Sequence, residues 1–389
     1  MQRIPSWLAW VAALYVSVHA CATVAAPLAN GLVAAPSRLP AAVEKTVPHI
    51  ALLLPLKSAM FAHAAEAVQA GFLTAAGNQT ASLPVRIYGY ADESKDVTAL
   101  YQAAVASGAR AVVGPLTRSA VAALAASSNI SVPTLVLNNS EVRSAEKLYF
   151  FGLSAEAEAR QVAQLAHDAR LRNAIIITAA TPLSLRLAQA FAEEWRAHGG
   201  DIVSEIPYKD DPAVLSAAQA VEGRMVFLAE GAEKARLIRP YLDPALPVYA
   251  TSQIFLGNKD VLINYDLKDV RFVDMPWMLQ PDLPAVLAYA HLDAPLDAEM
   301  ERLYALGIDA FRLVQLLLGG NVSHQPIAGV TGNIQLDDTQ HFQRSAIPAL
   351  FKQGLGLTPQ AAAALLIVPK AAASGVPASN PQAQPTDEP

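Results

Sequence analysis

HIALLLPLKSAMFAHAAEAVQAGFLTAAGN, residues His49–Asn78, decides the fold. Its opening six residues run apolar behind His49 without alternation, so the strand they predict must be covered on both faces. A helix is expected next, from Ser58 to Ala76, with Gly77 and Asn78 as stop signals. A two-faced strand followed at once by a helix is the opening of a β-α-β unit.

Reading outward, the unit repeats. Strands are expected at Val85–Tyr90, Ala111–Val113, Thr134–Leu137 and Leu148–Phe151, with helices at Val97–Ser107 and, capped by Thr117 or Ser119, up to Ala126. A second set follows. Its helices are Glu156–Ala169, Leu183–His198, Ala213–Ala220 and Ala232–Tyr241. Its strands are Ala174–Thr178, Ile202–Ile206, Met225–Leu228 and Pro247–Ala250. Two such blocks predict an α/β protein of two doubly wound parallel-sheet lobes. Helix Ala298–Leu318 and the hairpin-like Gly332–Asp338 arrive late and must join earlier sheets. The chain therefore crosses between lobes more than once, which makes a hinge and a cleft. The expected division is 47–153 with 280–328 for one lobe and 154–279 with 329–358 for the other. Residues 22–46 read as a tether, and the Pro/Ala-rich stretch 359–389 as a largely disordered tail.

Hydrophobic residues make up 53% and charged ones 16%, a globular mixture, and a net charge of −6 argues against nucleic acid. The single cysteine, Cys21, closes MQRIPSWLAWVAALYVSVHAC, which has the layout of a signal peptide and is too short to span a membrane. Val18-His19-Ala20-Cys21 fits a lipobox at Val18 and Ala20, with His19 an unusual occupant. Lipidation of Cys21 is one outcome; ordinary cleavage after Ala22 or Ala25, discarding the thiol, is the other. With no second cysteine there is no internal disulfide or thiolate metal cluster. Ala22 after the cysteine would sort a lipoprotein to the outer membrane.

Catalytic signatures are missing from the sequence: no GxSxG, HExxH, Walker A or GxGxxG string occurs. His63 and Glu66 read as a solvated helix pair, and Asp337-Asp338 as a hairpin turn. No catalytic residue, cofactor or metal site is expected. The candidates are strand-end residues, where open α/β sheets bind ligands. These are Ser58, Gly114, Thr117, Asn139, Thr181, Glu230, Thr251 and Ser252. A small ligand's carboxylate and amine would fall to Ser58, Thr117 and Asn139, with Glu230 as the acidic partner of an amine. The plainer reading is that these hydroxyls and amides cap helices and turns. Leu303, Leu306, Phe311 and Val314 mark a core face or a docking stripe. Trp277 is expected to pack between the lobes, with an exposed docking residue as the other reading.

Longer strings carry a resemblance: RAVVGPLTR (Arg110–Arg118), FFGLSAEAEARQVA (Phe150–Ala163), LRLAQAFAEEWRAHGG (Leu185–Gly200), PVYATSQIF (Pro247–Phe255), DVRFVDMPWML (Asp269–Leu279) and RLYALGIDAFRL (Arg302–Leu313). Across about residues 48–357 the chain resembles the C-terminal domain of the penicillin-binding protein activator family, the LpoA-type outer-membrane lipoproteins. The resemblance implies a type 1 periplasmic-binding-protein fold. It also implies a non-enzymatic lipoprotein at the periplasmic face of the outer membrane that stimulates a class A penicillin-binding protein. In that family a helical-repeat domain precedes this part, where the tether stands here. The competing expectation is a soluble periplasmic binding protein of the branched-chain amino-acid type that serves an ABC transporter.

Overall fold

Strand β1 (His49–Leu54) is buried along its whole length. Ile50, Leu52 and Leu54 enter one core while Ala51 and Leu53 enter another, so a strand without alternation serves two faces. The structure is a computed structural model. It describes residues 46–367 other than 81, 93–95, 128, 140–144, 293 and 321–322. Cys21, the signal segment, the tether up to Lys45 and residues 368–389 lie outside the described residues.

From β1 the chain runs through α1 (Ala62–Gly77), β2 (Val85–Gly89), α2 (Asp96–Ala106), β3 (Ala109–Val113), α3 (Arg118–Ala125), β4 (Thr134–Val136) and β5 (Leu148–Phe150). The strands form a parallel sheet ordered β2-β1-β3-β4-β5. Helix α1 starts four residues later than its sequence suggests. Lys57 N–H bonds to the Tyr90 carbonyl and Ser58 N–H to that of Pro55, and these tie the chain into a turn first. Gly114, with φ 101°, lies against β1, and a Cβ there would collide with the Leu53 carbonyl.

Helix α4 (Ala155–Asp168) opens the second lobe. It leads into β6 (Asn173–Thr178), α5 (Pro182–Ala197), β7 (Asp201–Pro207), β8 (Arg224–Ala229), α6 (Ala232–Ile238), β9 (Val248–Ala250) and β10 (Arg271–Asp274). The expected helix Ala213–Ala220 is a 3-10 stretch, Pro212–Ala217, started by Asp211 Oδ1 accepting from Ala213 N–H. Three further helices follow: α7 (Pro276–Leu279), α8 (Pro284–Leu287) and the long α9 (Ala298–Gly319). A small antiparallel sheet comes from β11 (Ile327–Ala328), β12 (Asn333–Leu336) and β13 (Phe342–Ser345). Finally β14 (Ile347–Lys352) pairs antiparallel with β10, and β15 (Leu355–Leu357) antiparallel with β14, completing a seven-stranded sheet ordered β15-β14-β10-β9-β8-β6-β7. The second sheet is thus parallel at its centre and antiparallel at one side.

Three placements differ from the sequence expectation. Met275 and Trp277 enter the first lobe's core, although the expected division puts 154–279 in the second lobe. Val330, Ile334, Leu336 and Phe342 join them there, although the same division puts 329–358 in the second lobe. The small sheet carries that segment back before β14 leaves it. The expected tail begins as helix α10 (Pro359–Ile367), because Thr358 Oγ1 accepts from Ala361 N–H and caps an alanine-rich run.

Helix α9 is the first lobe's main covering. Leu306, Phe311 and Val314 are fully buried and Leu303 partly so, which makes the stripe a core face. Trp277 is only 3% exposed and belongs to the same core, its indole N–H donating to Glu301 Oε2 at 2.8 Å. Where α9 crosses α1, Gly307 faces the Val68 carbonyl and Gly71 the Tyr304 carbonyl, each too closely for a Cβ. Gly307→Ala must push the helices apart and should cost about 1–3 kcal/mol in urea unfolding. Gly77→Ala, with nothing within 4 Å, should be neutral or slightly stabilising.

Candidate functional site

The carboxyl ends of β3, β4 and β5 open onto a cavity of about 560 Å³. Its walls are mainly apolar: Phe61 from the turn before α1, Leu116 after β3, Leu137 after β4, and Leu303 and Leu306 from α9. Its polar rim is Thr117, Arg118 and Ser119 at the start of α3, together with Asn138. Thr117 Oγ1 accepts from Ala120 N–H and so caps α3. Asn138 donates from Nδ2 to the Leu116 carbonyl at 3.0 Å, joining two strand ends. Of the expected candidates only Thr117 lines this cavity. Ser58 has its carbonyl taken by Ala62 N–H in the turn, and Asn139 is exposed while its neighbour Asn138 takes the lining position.

In the second lobe the corresponding point lies between β6 and β8. Thr181 Oγ1 caps α5 by accepting from Ser184 N–H at 3.2 Å. Ser184 Oγ accepts from Ala179 N–H and donates to Glu230 Oε1 at 3.2 Å. Burial raises the Glu230 pKa, opposed by the hydroxyl of Ser184. Glu230 is therefore committed inside its own lobe, away from the cavity lined by Thr117.

Thr251 and Ser252 mark a third place, the seam between the lobes. Arg302 of α9 donates through Nε and Nη2 to both oxygens of Asp274, at 3.1 and 2.6 Å. The same Nη2 reaches the carbonyls of Ser252 and Phe255, at 2.9 and 2.7 Å. Ser252 N–H donates to Glu158 Oε2 at 3.1 Å, and Glu158 Oε1 accepts from Arg344 at 2.5 Å. Arg344 continues to the Thr331 carbonyl, and Thr331 donates from N and Oγ1 to Asp309, which Arg312 also holds. Three carboxylates and three guanidiniums are thus paired within one chain of contacts. Thr251, fully buried beside them, has an Oγ1 with no hydrogen-bond partner. Sequence reasoning missed Glu158, Asp274, Arg302 and Arg344. The available signal was a charge in a helix's apolar stripe: Arg302 lies three and four residues before the buried Ala305 and Leu306.

A second ionic arrangement joins the lobes nearer solvent. Glu156 of α4 accepts at Oε1 from Arg118 Nη2 of α3 and Arg186 Nε of α5, both at 2.9 Å. Burial alone would raise the Glu156 pKa. The hydrogen bonds from Arg118 and Arg186, with that of the backbone, outweigh it and hold the group at about 2. Among the described residues no cluster of His, Cys, Asp and Glu is suited to a metal. No described helix is long and apolar enough to cross a membrane.

Two doubly wound lobes, several crossings and a cavity at strand carboxyl ends define a type 1 periplasmic-binding-protein-like protein. The chain belongs to the LppC family, whose model, "LppC putative lipoprotein", matches residues 27–223 and 214–354. It is 26% identical over 355 residues to the penicillin-binding protein activator LpoA of Photobacterium profundum, covering 80% of this chain and 57% of that protein. The chain spans about half the length of the curated relatives it matches. Among solved structures it is similar to a Chromobacterium violaceum protein described as a "putative branched-chain amino acid ABC transporter". That match has 37% identity and a TM-score of 0.68, over 78% of this chain and 100% of the other. It shares its fold with the C-domain of Haemophilus influenzae LpoA, a regulator of PBP1A, at 22% identity and a TM-score of 0.64. Coverage there is 80% of this chain and 99% of that one.

Arg302→Met should lower unfolding stability by about 3–5 kcal/mol, because it strands Asp274 unpaired in the seam; pairing it with Asp274→Leu should restore much of the loss. A depressed pKa makes the Glu156 contribution complete above its ordinary 4.5 and lost as pH falls through about 2. The stability gap between the wild type and Glu156→Gln should therefore narrow steadily over that window in acid-titrated urea unfolding.

Proposed function

We propose that this chain is a non-enzymatic regulator of a class A peptidoglycan synthase, anchored to the periplasmic face of the outer membrane by lipid on Cys21. The reading rests on the family match over residues 27–354 combined with relatives named as penicillin-binding protein activators. The geometry is compatible with it. The charged groups of the seam are paired with one another, so the two lobes present one joined surface to a partner. Regulation of this kind requires no chemistry from the chain, only a surface that favours the active state of the synthase.

A second reading has its own observation. The Chromobacterium violaceum protein is matched over its full length and is described as a "putative branched-chain amino acid ABC transporter". A solute-binding role would use the cavity lined by Thr117. Under the first reading, adding the purified chain to a class A synthase should raise the rate of glycan-strand polymerisation to a saturating value, and the two should co-precipitate. Failure of both, together with tight calorimetric binding of leucine or isoleucine, would establish the second reading instead. Mass spectrometry of the mature N-terminus should find diacylglyceryl-modified Cys21, and Cys21→Ser should move the protein from the membrane to the soluble fraction.

A further inference from the structure

The cavity at the first lobe's strand ends has one charged lining residue, Arg118, and no carboxylate. Phe61, Leu116, Leu137, Leu303 and Leu306 supply an apolar wall in a space of about 560 Å³, which suits a small ligand. The Arg118 side chain is 59% exposed and already holds one carboxylate, that of Glu156, at 2.9 Å. We propose that this cavity takes an apolar monocarboxylate, its anion received by Arg118 and its hydrocarbon body by the leucine wall, and that it discriminates against free amino acids.

The discrimination follows from where the acidic groups are. A zwitterionic amino acid brings an ammonium group that must find an acceptor once it is desolvated. Glu230, the acidic candidate for that task, is held by Ser184 within the second lobe and does not line the cavity. Glu156 is engaged by two guanidiniums and by the Ser154 hydroxyl. An amine would therefore meet no uncommitted carboxylate, only the neutral oxygens of the rim and the positive charge of Arg118, whereas a carboxylate meets a planar guanidinium suited to it. Glu156 competes with the incoming anion for Arg118, so ligand binding also loosens one tie between α3 and the second lobe. This ligand class does not depend on the regulatory reading, since it is measured on the chain alone.

The test is calorimetric titration of the full mature chain with 4-methylpentanoate, phenylacetate, leucine and the neutral amide 4-methylpentanamide. A carboxylate should bind at least roughly tenfold tighter than leucine and than the amide. Arg118→Gln should weaken the carboxylate by roughly tenfold or more, with Arg118→Lys intermediate. Glu156→Gln should tighten it, an effect that a purely structural role for the bridge would not produce. Leucine binding as tightly as the carboxylates would overturn the proposal. So would Arg118→Gln leaving affinity unchanged in a variant with unaltered thermal unfolding, or no binding by either carboxylate.

Discussion

Arg302 is the residue on which the two lobes depend. It leaves a helix that covers the first lobe, yet it binds Asp274 and two carbonyls of the second. A guanidinium 6% exposed is tolerated only because both oxygens of a buried carboxylate and several carbonyls receive its N–H groups. Burial holds the Asp274 pKa up despite the charge of Arg302, whereas burial would lower the Arg302 pKa but the carboxylate of Asp274 outweighs it and holds it raised. Apolar residues of equal volume could hold the seam as firmly, but they would not set its geometry. Directed N–H donors admit one alignment of α9 against β10, whereas greasy contacts admit several.

That alignment connects the two ionic systems. The buried chain of contacts from Arg302 to Asp309 fixes the base of the hinge, while the Arg118–Glu156–Arg186 bridge sits on the solvent side. The buried pairs are shielded from salt; the outer bridge, with Arg118 and Arg186 roughly half exposed, is open to screening. The inner system therefore behaves as structure and the outer one as an adjustable tie. The cavity opens beside the adjustable one, which places any occupant where it can change the relation of the lobes at least cost.

Strands that serve two cores were legible in the sequence. β1 and β6 lie within a residue of their expected bounds because an unbroken apolar run has few other uses. Helix caps were also legible where a hydroxyl precedes the helix, as at Thr117 and Thr181. What escaped was whatever local pattern does not encode. β10 is four residues ending in an aspartate, and only the distant Arg302 and β14 make it a buried strand. Thr251, Ser252 and Glu230 stand at strand ends as expected, but tertiary partners more than forty residues away consumed Ser252 and Glu230. A strand end is a local property; a site is a convergence of several, and convergence is set by long-range packing.

The order in which the chain completes its lobes has a consequence for biogenesis. The first core needs residues from Met275 to Phe342, and the second sheet needs β14 and β15, beyond residue 346. The first lobe therefore cannot close until residues up to Phe342 are available, and the second sheet is completed only by β14 and β15. A nascent chain stalled before α9 would leave the Ile50 face of its first sheet uncovered, while the Ile175 core would lack only Ala349 and Phe351. Closing the first core therefore waits on contacts of high sequence separation, between β1 near the start of the described chain and residues beyond 300, and such contacts form slowly.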